Sequence, residues 1–465
     1  MRRRRRSANL PCDAAGLAGL RRVGSTGNRA ISPSRQNCGR SATGRGGDVN
    51  VLICGAHGFI GAALCERLEK SGHTVIRGVR RAVAKNELEV DYTRDREATQ
   101  WDALLQGVDA VINAVGILIE NRQHTFDEVH TKAPIALFDA CSRLRIRRVI
   151  QISALGAQCG ATPYFKSKRA ADDYLQSLSV SSWIVRPALV YGSSGASAAF
   201  FRMLASLPVH PLPAGGHQRL RPVHVDDLTE AVECLLETDA GDQRVVDVVG
   251  GEEVEYREML SIYRRSLGLG RFCQMSIPAW LIGVGAALLN RIPGSMLTGD
   301  TWRMLQAGST ADASATATLL KRPPRSLRTF IDRDAADLLH RALSSWRCIL
   351  LRSVLSFVWI WTAVSSVFLY PRDESFALLT RAYLQGTNAI VAFWLAAAID
   401  FVFGALTMVK PGRLLWLSQA VLIVTYSLII AVTMPEILWH PFGAVLKNLP
   451  ILAILLILFS EDTSR

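Results

Sequence analysis

The chain has 465 residues, more than one ordinary hydrophobic core supports, so two or three domains are expected. Its formal charge of +13 would by itself suggest a nucleic-acid partner. Eleven arginines, no lysine and two aspartates give residues 1–48 a charge of +9, so the other 417 residues carry only +4. The charge of the remaining chain is therefore ordinary, and no nucleic-acid partner is predicted.

The first 48 residues are predicted to form a disordered basic leader. They are rich in Arg, Ser and Gly and show no sustained apolar periodicity, so they would bury too little apolar surface to fold. No Met occurs between Met1 and Met203, and Val49 lies where the first predicted strand begins. A mis-assigned start, with translation beginning at Val49, is therefore an alternative to a true leader.

Residues 49–330 alternate short β-like runs with helical patterns. This alternation is typical of a parallel sheet that is covered by helices on both faces. We therefore predict an α/β domain built on a Rossmann-type, doubly wound parallel sheet. The predicted strands are residues 49–54, 74–79, 110–114, 149–153, 182–186 and 245–249.

Three glycines at intervals of three residues follow the first predicted strand, in the segment VLICGAHGFIGAAL. Glycine at a turn from strand to helix allows a pyrophosphate to approach the N–H groups at the helix N-terminus. Tight turns also use glycine for steric reasons alone, so the spacing indicates a phosphate loop without proving one. The cofactor-binding residues predicted here are Gly55, His57, Gly58, Phe59, Ile60 and Gly61.

Arg80 lies at the end of the second predicted strand. NAD-binding proteins usually place Asp or Glu there for the ribose 2′-hydroxyl, whereas an Arg accommodates the 2′-phosphate of NADP. Residues 72–86 contain no acidic side chain, so NADP(H) is favoured over NAD(H). Further predicted cofactor contacts are Asp91 at the adenine edge and the small residues after the 110–114 strand, Ala114, Val115 and Gly116.

The segment YFKSK places Tyr164 and Lys168 four residues apart, on one face of a predicted helix. An ammonium beside a phenol lowers the pKa of the phenol and can also bind the ribose next to the nicotinamide. Tyr164 can then give or take the proton that accompanies hydride transfer. The pair is therefore the predicted catalytic centre.

The segments CGAHGFIG, INAVGI, YFKSK, VRPALVYG and RLRPVHVDDL together resemble the extended and atypical short-chain dehydrogenase/reductases. The resemblance covers roughly residues 49–330 and points to the NAD(P)H-binding branch that includes a complex I accessory subunit. It implies that the three glycines form the phosphate loop and that Tyr164 and Lys168 are the active-site pair. It also implies that Pro187 lies near the nicotinamide amide.

One departure from this family concerns Ser153. The resemblance implies a Ser or Thr shortly after the fifth strand, where it would hold the substrate oxygen beside the Tyr. In VIQISALGAQ the available residue is Ser153, one or two positions early, with Ala154 and Leu155 at the expected places. Ser153 is the third candidate catalytic residue, and its displacement weakens the prediction of dehydrogenase activity but not that of cofactor binding.

From residue 347 onward the chain consists mainly of long apolar stretches. The segments 353–370, 389–409, 414–434 and 442–460 each approach the ~20 apolar residues that span a bilayer. They predict an all-α bundle of four transmembrane helices in residues 347–465, after a linker at 331–346. The segment WHPFGAVLKNLP makes this part similar to the DoxX-like membrane family.

Basic residues near the ends of these stretches predict the topology. Lys410 and Arg413 lie between the second and third spans, and Arg341, Arg347 and Arg352 precede the first. The positive-inside rule then places both termini in the cytoplasm. The expected location is a bacterial inner membrane, with the nucleotide-binding domain on its cytoplasmic side.

Other features receive structural interpretations. Asp400, inside the second span, is expected to face the bundle interior, because an ionisable residue in a membrane helix is costly. Residues 278–289 are too short to span a bilayer and are expected to form a core or interfacial helix. The nine cysteines and the histidines show no metal-ligand spacing, so no metal site is predicted.

Together these features predict a membrane-anchored NAD(P)-dependent oxidoreductase. Its expected partners are a nicotinamide dinucleotide, the lipid bilayer, and a lipophilic or quinone-like substrate or a membrane complex. Two alternatives stay open. One is a non-catalytic NADPH-binding sensor or assembly subunit, which the displaced Ser153 allows. The other is a sugar-nucleotide epimerase or dehydratase, which would need an acidic residue after the second strand and a Ser or Thr in place.

Overall fold

The computed structural model describes residues 49–95, 97–121, 123–238, 244–289, 296–331, 335–438 and 445–462. The chain divides at residue 333 into two compact units, called here the N-terminal unit and the C-terminal unit. The predicted leader and the first residues of the fourth predicted span lie outside the described residues.

The N-terminal unit combines strands and helices in alternation, as predicted. Its strands are β1 (Asn50–Cys54), β2 (Thr74–Val79), β3 (Glu87–Glu89), β4 (Ala110–Asn113), β5 (Arg148–Ile152), β6 (Ser182–Pro187), β7 (Val190–Tyr191), β8 (Val209–Pro213), β9 (Arg219–Leu220), β10 (Val223–His224), β11 (Val245–Val248), β12 (Val254–Glu255) and β13 (Cys273–Ile277). Its helices are α1 (Phe59–Lys70), α2 (Ala133–Arg143), α3 (Pro163–Ser177), α4 (Ala196–Ser206), α5 (Val225–Glu237), α6 (Tyr256–Ser266), α7 (Ala279–Leu289), α8 (Gly299–Ala307) and α9 (Ser314–Leu320).

Seven strands form one parallel sheet in the order β11-β6-β5-β4-β1-β2-β3. The strand order changes direction between β1 and β4, and open α/β sheets bind ligands in the crevice outside such a switch point. The prediction of a doubly wound parallel sheet is confirmed, and each of the six predicted strands agrees with the structure to within one residue at either end. Sequence reasoning missed β3, because its three residues Glu87–Glu89 form no apolar run.

Two hydrophobic layers enclose this sheet. Val51 and Ile53 of β1 belong to the layer that also contains residues of α1 and α5. Leu52 and Cys54 of the same strand belong to the opposite layer, with residues of α2 and α3. Successive side chains of a strand point to opposite faces, so a strand covered on both sides is apolar throughout. This explains the unbroken apolar run before the glycine loop.

Beyond the sheet, three short strand pairs complete the N-terminal unit. β7 pairs with β10 and β8 with β13 in parallel, whereas β9 and β12 are antiparallel. A π-helical turn, Asp127–Lys132, leads directly into α2. Of these elements, the π-helical turn carries His130, whose ring contacts the segment after β4.

The C-terminal unit is helical. Its helices are α10 (Ala335–Val364), which continues as a π-helical segment to Leu369, α11 (Arg372–Arg381), α12 (Thr387–Val409), α13 (Arg413–Thr433) and α14 (Asn448–Glu461). Among the described residues, three helices are long and apolar enough to cross a membrane: Ala335–Leu369, Thr387–Val409 and Arg413–Thr433. The fourth predicted span differs, because its described part is α14, an apolar helix of 14 residues.

The interior of this unit contains hydrogen-bonded polar side chains. Trp359 Nε1 donates to Gln419 Oε1 at 2.9 Å, and Gln419 Nε2 donates to Thr407 Oγ1 at 2.9 Å. Asp400 is 6% exposed, so the prediction that it faces inward is confirmed. Because unpaired polar groups are costly in hydrocarbon, such contacts fix how the helices face one another.

Candidate nucleotide-binding and active site

The glycine loop connects β1 to α1 beside the switch point. Gly55 has φ +83°, and a Cβ on Gly61 would lie 2.1 Å from the carbonyl oxygen of Gly55. Gly58 is the N-cap of α1 and provides no side-chain acceptor for its first N–H groups. The loop therefore has the close backbone packing and the uncapped helix N-terminus that a pyrophosphate requires.

The residues between these glycines contact neighbouring segments. His57 Nε2 lies 3.0 Å from Glu87 Oε1, a carboxylate that sequence reasoning missed because it belongs to the short strand β3. The ring of Phe59 packs against Gly192, where a Cβ would lie 2.5 Å from Phe59 Cε2. Ile60 packs against the hydrophobic layer of α1 and α5. Phe59 and Ile60 thus anchor the start of α1, whereas His57 lies at the solvent-exposed side of the loop.

Arg77, in β2, and Arg80, directly after β2, differ in their hydrogen-bond partners. Arg77 donates to both carboxylate oxygens of Glu69, at 2.8 and 3.0 Å. Arg80 directly follows β2, is exposed, and has its Nη1 atom 3.4 Å from His124 Nε2. Within the described residues no carboxylate pairs with Arg80, which leaves its guanidinium available to a phosphate.

Asp91, the predicted adenine contact, follows β3 and forms a turn of its own. Its Oδ1 atom accepts hydrogen bonds from the backbone N–H of Thr93 at 2.9 Å and from the Thr93 hydroxyl at 2.7 Å. Arg94 Nε lies 3.1 Å from the other carboxylate oxygen. The carboxylate therefore already has donors from its own loop, and its contact with adenine stays a prediction.

Helix α3 carries the Tyr-Lys pair and is bonded to the ends of two central strands. Lys168 is 4% exposed, and its Nζ atom donates to the carbonyl oxygens of Val115 at 3.3 Å and Ile152 at 3.2 Å. A Cβ on Gly116 would lie 3.2 Å from Lys168 Nζ. Val115 and Gly116, two of the three small residues predicted to contact the cofactor, therefore border the lysine, and the cofactor contact of Ala114, Val115 and Gly116 stays a prediction.

The pKa values of the pair differ from the sequence-based expectation. Burial raises the pKa of Tyr164 to about 12, and the negative charge of Asp172 acts in the same direction. Burial lowers the pKa of Lys168 to about 8, which Asp172 partly opposes. The expected lowering of the phenol's pKa by Lys168 is not found, because the ammonium directs its hydrogen bonds to two carbonyl oxygens. The Tyr164 hydroxyl therefore stays protonated at neutral pH.

Ser153 follows β5 and is turned towards α3. Its hydroxyl donates to Oδ2 of Asp172, a fully buried carboxylate one helical turn after Lys168. Burial raises the pKa of Asp172 to about 6, and Arg186 Nε lies 3.9 Å from the same oxygen. The Ser153 hydroxyl has one proton to donate, and its hydrogen bond goes to Asp172. Sequence reasoning missed Asp172, although its spacing of four residues after Lys168 was the available signal.

His130 is a second residue that sequence reasoning missed. Its Nε2 atom accepts the backbone N–H of Ile117 at 3.0 Å, so the ring proton is assigned to Nδ1, which donates to Ser167 Oγ at 3.0 Å. Ser167 in turn donates to the carbonyl oxygen of Tyr164 at 2.8 Å. Burial and the charge of Lys168 lower the pKa of His130 to about 2. The neutral ring therefore joins the segment after β4 to the start of α3.

Pro187 ends β6 at the same edge of the sheet. Its carbonyl oxygen accepts the backbone N–H of Leu155 at 2.9 Å, which joins the segment after β6 to the segment after β5. The carboxyl ends of β1, β4, β5 and β6 thus carry the predicted phosphate loop, the small residues, Ser153 and Pro187 at one edge. Parallel strands produce this grouping because their carboxyl ends all lie on one side of the sheet.

Comparison with known proteins agrees with this geometry. Residues 51–250 match the model of the NAD dependent epimerase/dehydratase family, and residues 356–456 match that of the DoxX-like family. The chain joins an epimerase/dehydratase-like N-terminal domain to a DoxX-like C-terminal domain. The nucleotide that such a fold binds is a nicotinamide dinucleotide, and the predicted resemblance is confirmed for both parts.

Two curated proteins illustrate the relationship. The chain is 24% identical to the mitochondrial NADH-ubiquinone oxidoreductase 40 kDa subunit of Neurospora crassa over 269 residues, which are 55% of this chain and 69% of that protein. It is 27% identical to a ceramide reductase of Caulobacter vibrioides over 194 residues, 40% of this chain and 61% of that protein. These matches concern the N-terminal unit and leave part of each relative uncovered.

Among solved structures, a nucleoside-diphosphate-sugar epimerase from Staphylococcus aureus shares the fold. It has a TM-score of 0.51 and 15% sequence identity, and the match covers 61% of this chain and all of that one. At this identity the similarity establishes the architecture of the N-terminal unit and does not establish its reaction.

Proposed function

We propose that the chain is a membrane-anchored NAD(P)H-dependent reductase. Its nucleotide-binding domain would comprise residues 49–330 and act at the cytoplasmic face of a bacterial inner membrane, joined by residues 331–346 to a membrane domain at 347–465. The observation that carries the proposal is the position of Lys168, whose ammonium is hydrogen-bonded to carbonyl oxygens at the carboxyl ends of β4 and β5, with Tyr164 one turn earlier on α3.

The residues around the switch point fit a nicotinamide dinucleotide. A side chain on Gly61 would collide with the backbone of Gly55, so the turn has the close packing that a bound pyrophosphate needs. Arg80 would hold the 2′-phosphate of NADP, and Lys168 would hold the nicotinamide ribose. When bound, the reduced cofactor supplies a hydride. The preference for NADP(H) rests on the exposed guanidinium of Arg80.

Tyr164 would supply the proton of the reaction. Its pKa of about 12 keeps the hydroxyl protonated at neutral pH, so it can donate to a substrate oxygen that gains negative charge. This direction of proton transfer is that of carbonyl or quinone reduction. Lys168, hydrogen-bonded to two carbonyl oxygens, would keep a positive charge near the substrate oxygen. This charge would stabilise the negative charge that develops on the substrate oxygen during reduction.

A lipophilic substrate is favoured by the composition of the chain. Three described helices are apolar and long enough to cross a membrane, and a domain tied to a bilayer meets dissolved lipids at high effective concentration. One relative of the N-terminal unit is named as a reductase of ceramide, which is a lipid. We infer a membrane-dissolved carbonyl compound or quinone as the substrate class.

The proposal is tested with the full chain, reconstituted in lipid nanodiscs. NADPH oxidation is measured with a panel of quinone analogues and long-chain ketones, for the wild type and for Tyr164→Phe. We expect Tyr164→Phe to lower the rate by ~10²–10⁴-fold while NADPH affinity stays unchanged. Turnover that survives in Tyr164→Phe would remove this residue from the mechanism.

A second candidate function, a non-catalytic NADPH sensor or assembly subunit, is favoured by one observation. The Ser153 hydroxyl donates to Asp172 and so is not presented to a substrate oxygen in the way active family members require. This candidate predicts stoichiometric NADPH binding and no oxidation with any member of the panel. An epimerase would instead interconvert sugar nucleotides without net consumption of cofactor, which product analysis with added UDP-sugars would detect.

A further inference from the structure

The N-terminal unit carries a cluster of exposed apolar side chains on β8, β13 and α7. Among the described residues of this unit, eight large apolar side chains are exposed. Five of them form what we call the apolar cluster: Val209, Met275, Trp280, Leu281 and Val284. β13 pairs with β8 and continues directly into α7, so the cluster occupies neighbouring elements. Exposed apolar patches of this kind mark interaction sites.

Helix α7 is apolar on both sides but buried on only one. Ile282 and Ala286 are buried, whereas Trp280 is 70% exposed. A Cβ on Gly283 or Gly285 would meet no heavy atom within 4 Å. A helix that is apolar all round is normally buried in a core or in a membrane. The outer side of α7 is therefore apolar and exposed, although its composition is that of a buried helix.

Two arginines line a pocket at α6, the helix that contacts β8 and β13. An open pocket of about 280 Å³ is lined by Ile262, Arg265, Ser266 and Arg328. α6, which carries Arg265, contacts β13 through a hydrogen bond of 3.4 Å from Gln274 Nε2 to Ser261 Oγ.

Each of these guanidiniums has a modest contact within the part of the chain that the structure describes. Arg328 Nη2 is 3.7 Å from Glu258 Oε1, and Arg265 Nε donates to the carbonyl oxygen of Ser261 at 3.3 Å. A guanidinium has five N–H donors, so both retain donors for an anion. Helix α6, which contacts β8 and β13, is thus associated with a pocket that has donors for a negatively charged group.

We propose that α7 docks at the surface of an anionic bilayer, with its outer side at the boundary between head groups and acyl chains. Its 11 residues span only ~16 Å, about half of the hydrocarbon core, so it lies on the membrane and does not cross it. Tryptophans such as Trp280 concentrate at this boundary. Arg265 and Arg328 would bind lipid phosphates.

The bilayer is favoured as the occupant because the chain itself supplies it. Three described helices of the C-terminal unit can cross a membrane, and 45 residues separate α7 from α10. A membrane surface is therefore always within reach at high effective concentration. A protein partner would account for the apolar cluster but would not by itself call for the arginine pocket at α6. This inference does not depend on the proposed reductase reaction.

The test uses the full chain in nanodiscs that contain a phospholipid with a photoactivatable group in its acyl chain. After illumination and trypsin digestion, we expect label in the peptide of residues 272–291, which contains α7, as well as in α13. The peptide of residues 97–122 is the internal control, because its Leu118 is an isolated exposed apolar side chain. Label confined to the membrane helices would overturn the proposal.

Matched variants separate the two parts of the surface. Trp280→Asp combined with Val284→Asp should abolish labelling of residues 272–291 in every lipid, whereas Trp280→Phe should retain it. Arg265→Gln combined with Arg328→Gln should reduce labelling several-fold in anionic discs and leave it unchanged in neutral ones. Thermal unfolding of each variant reports whether the fold is kept.

Two results would replace the bilayer by another occupant. Cross-linking of α7 to a second copy of the chain, with no lipid label, would assign the surface to self-association. Labelling that is insensitive to Trp280→Asp with Val284→Asp, in variants that unfold as the wild type does, would show that α7 does not contact lipid. Either result contradicts the proposal.

Discussion

At the scale of single residues, one guanidinium carries the proposed preference for NADP(H). Arg80 is exposed directly after β2, whereas Arg77 is held by both oxygens of Glu69. A charge-assisted hydrogen bond to phosphate is stronger than a neutral one. The position of Arg80 at the strand end could be read from the segment HTVIRGVRR, but the engagement of Arg77 by Glu69 could not.

Arg80→Ala should therefore weaken NADPH binding by about 1.5–3 kcal/mol, the size of a hydrogen bond to a charged group. NADH binding should hardly change, because NADH lacks the 2′-phosphate. Both affinities are measured by cofactor fluorescence titration, with Arg81→Ala as the control for loss of a neighbouring exposed charge. Equal losses for NADPH and NADH would show that Arg80 does not contact the phosphate.

The charge of Lys168 depends on Asp172, one turn further along α3. Burial lowers the pKa of Lys168 to about 8, and Asp172 opposes this shift. The neutral His130 faces the lysine from the turn before α2, and Arg186 faces Asp172 from β6. The ammonium is present below about pH 8 and is lost above it, so its contribution to cofactor binding falls as pH rises through this value.

Asp172→Asn should move the midpoint of the pH dependence of NADPH binding to lower pH. The reason is that the substitution removes the negative charge that stabilises the Lys168 ammonium. The measurement is NADPH affinity across the neutral and alkaline range. Asp173→Asn, which changes the adjacent exposed carboxylate, should leave the midpoint where it is. An unchanged midpoint in Asp172→Asn would mean that Asp172 has only a structural role.

At the scale of elements, the turn from β1 to α1 is the most constrained segment of the site. Gly61 sits within the first turn of α1 against the carbonyl oxygen of Gly55, with space for a hydrogen atom and not for a methyl group. Overpacking of this kind moves backbone, because neither partner is a flexible side chain. The steric requirement for Gly61 thus comes from the turn itself and holds with or without a cofactor.

Gly61→Ala should lower the free energy of unfolding by about 1–3 kcal/mol and also weaken cofactor binding, because the loop must shift. The matched control is Gly270→Ala, where a Cβ would meet nothing within 4 Å and no loss is expected. Thermal unfolding and NADPH titration are measured for both variants. Normal stability in Gly61→Ala would contradict the close packing of this turn.

At the scale of the whole molecule, several contacts define which ends of the membrane helices lie together. Arg352 of α10 donates to the carbonyl oxygens of Thr407 and Met408 at the end of α12. Trp416 at the start of α13 donates to Asp462, just after α14. The basic connection between α12 and α13 therefore lies at the same end of the C-terminal unit as the end of α14.

This arrangement predicts that residue 465 and the α12–α13 connection face the cytoplasm and that the segment with α11 faces the opposite side. A phosphatase reporter, active only outside the cytoplasm, should be active after residue 384 and inactive after residue 465. A fluorescent protein that folds only in the cytoplasm should give the reverse pattern at the same two sites. Phosphatase activity at residue 465 would contradict the proposed orientation.

The sequence alone determined the main parallel sheet of the N-terminal unit and three of the four predicted membrane helices. Its apolar runs and glycine spacing specify a parallel sheet with a phosphate-type turn, because a strand buried on both faces must be apolar throughout. Long apolar stretches likewise identify the membrane helices, since a bilayer imposes a minimum length on them. The predicted inward position of Asp400 followed from the cost of exposing a charge to lipid.

Only the tertiary structure decided the partners of the polar groups. That Ser153 bonds Asp172, that His130 joins the segment after β4 to α3, and that Arg77 is engaged by Glu69 all depend on contacts across elements. The exposure of Trp280 was also decided only by the tertiary structure, since the sequence of an apolar helix of eleven residues suits a protein core as well as a membrane surface. Hydrophobic periodicity fixes which face of an element is buried, but hydrogen bonds and charge pairs depend on distances and angles that only the packed chain defines.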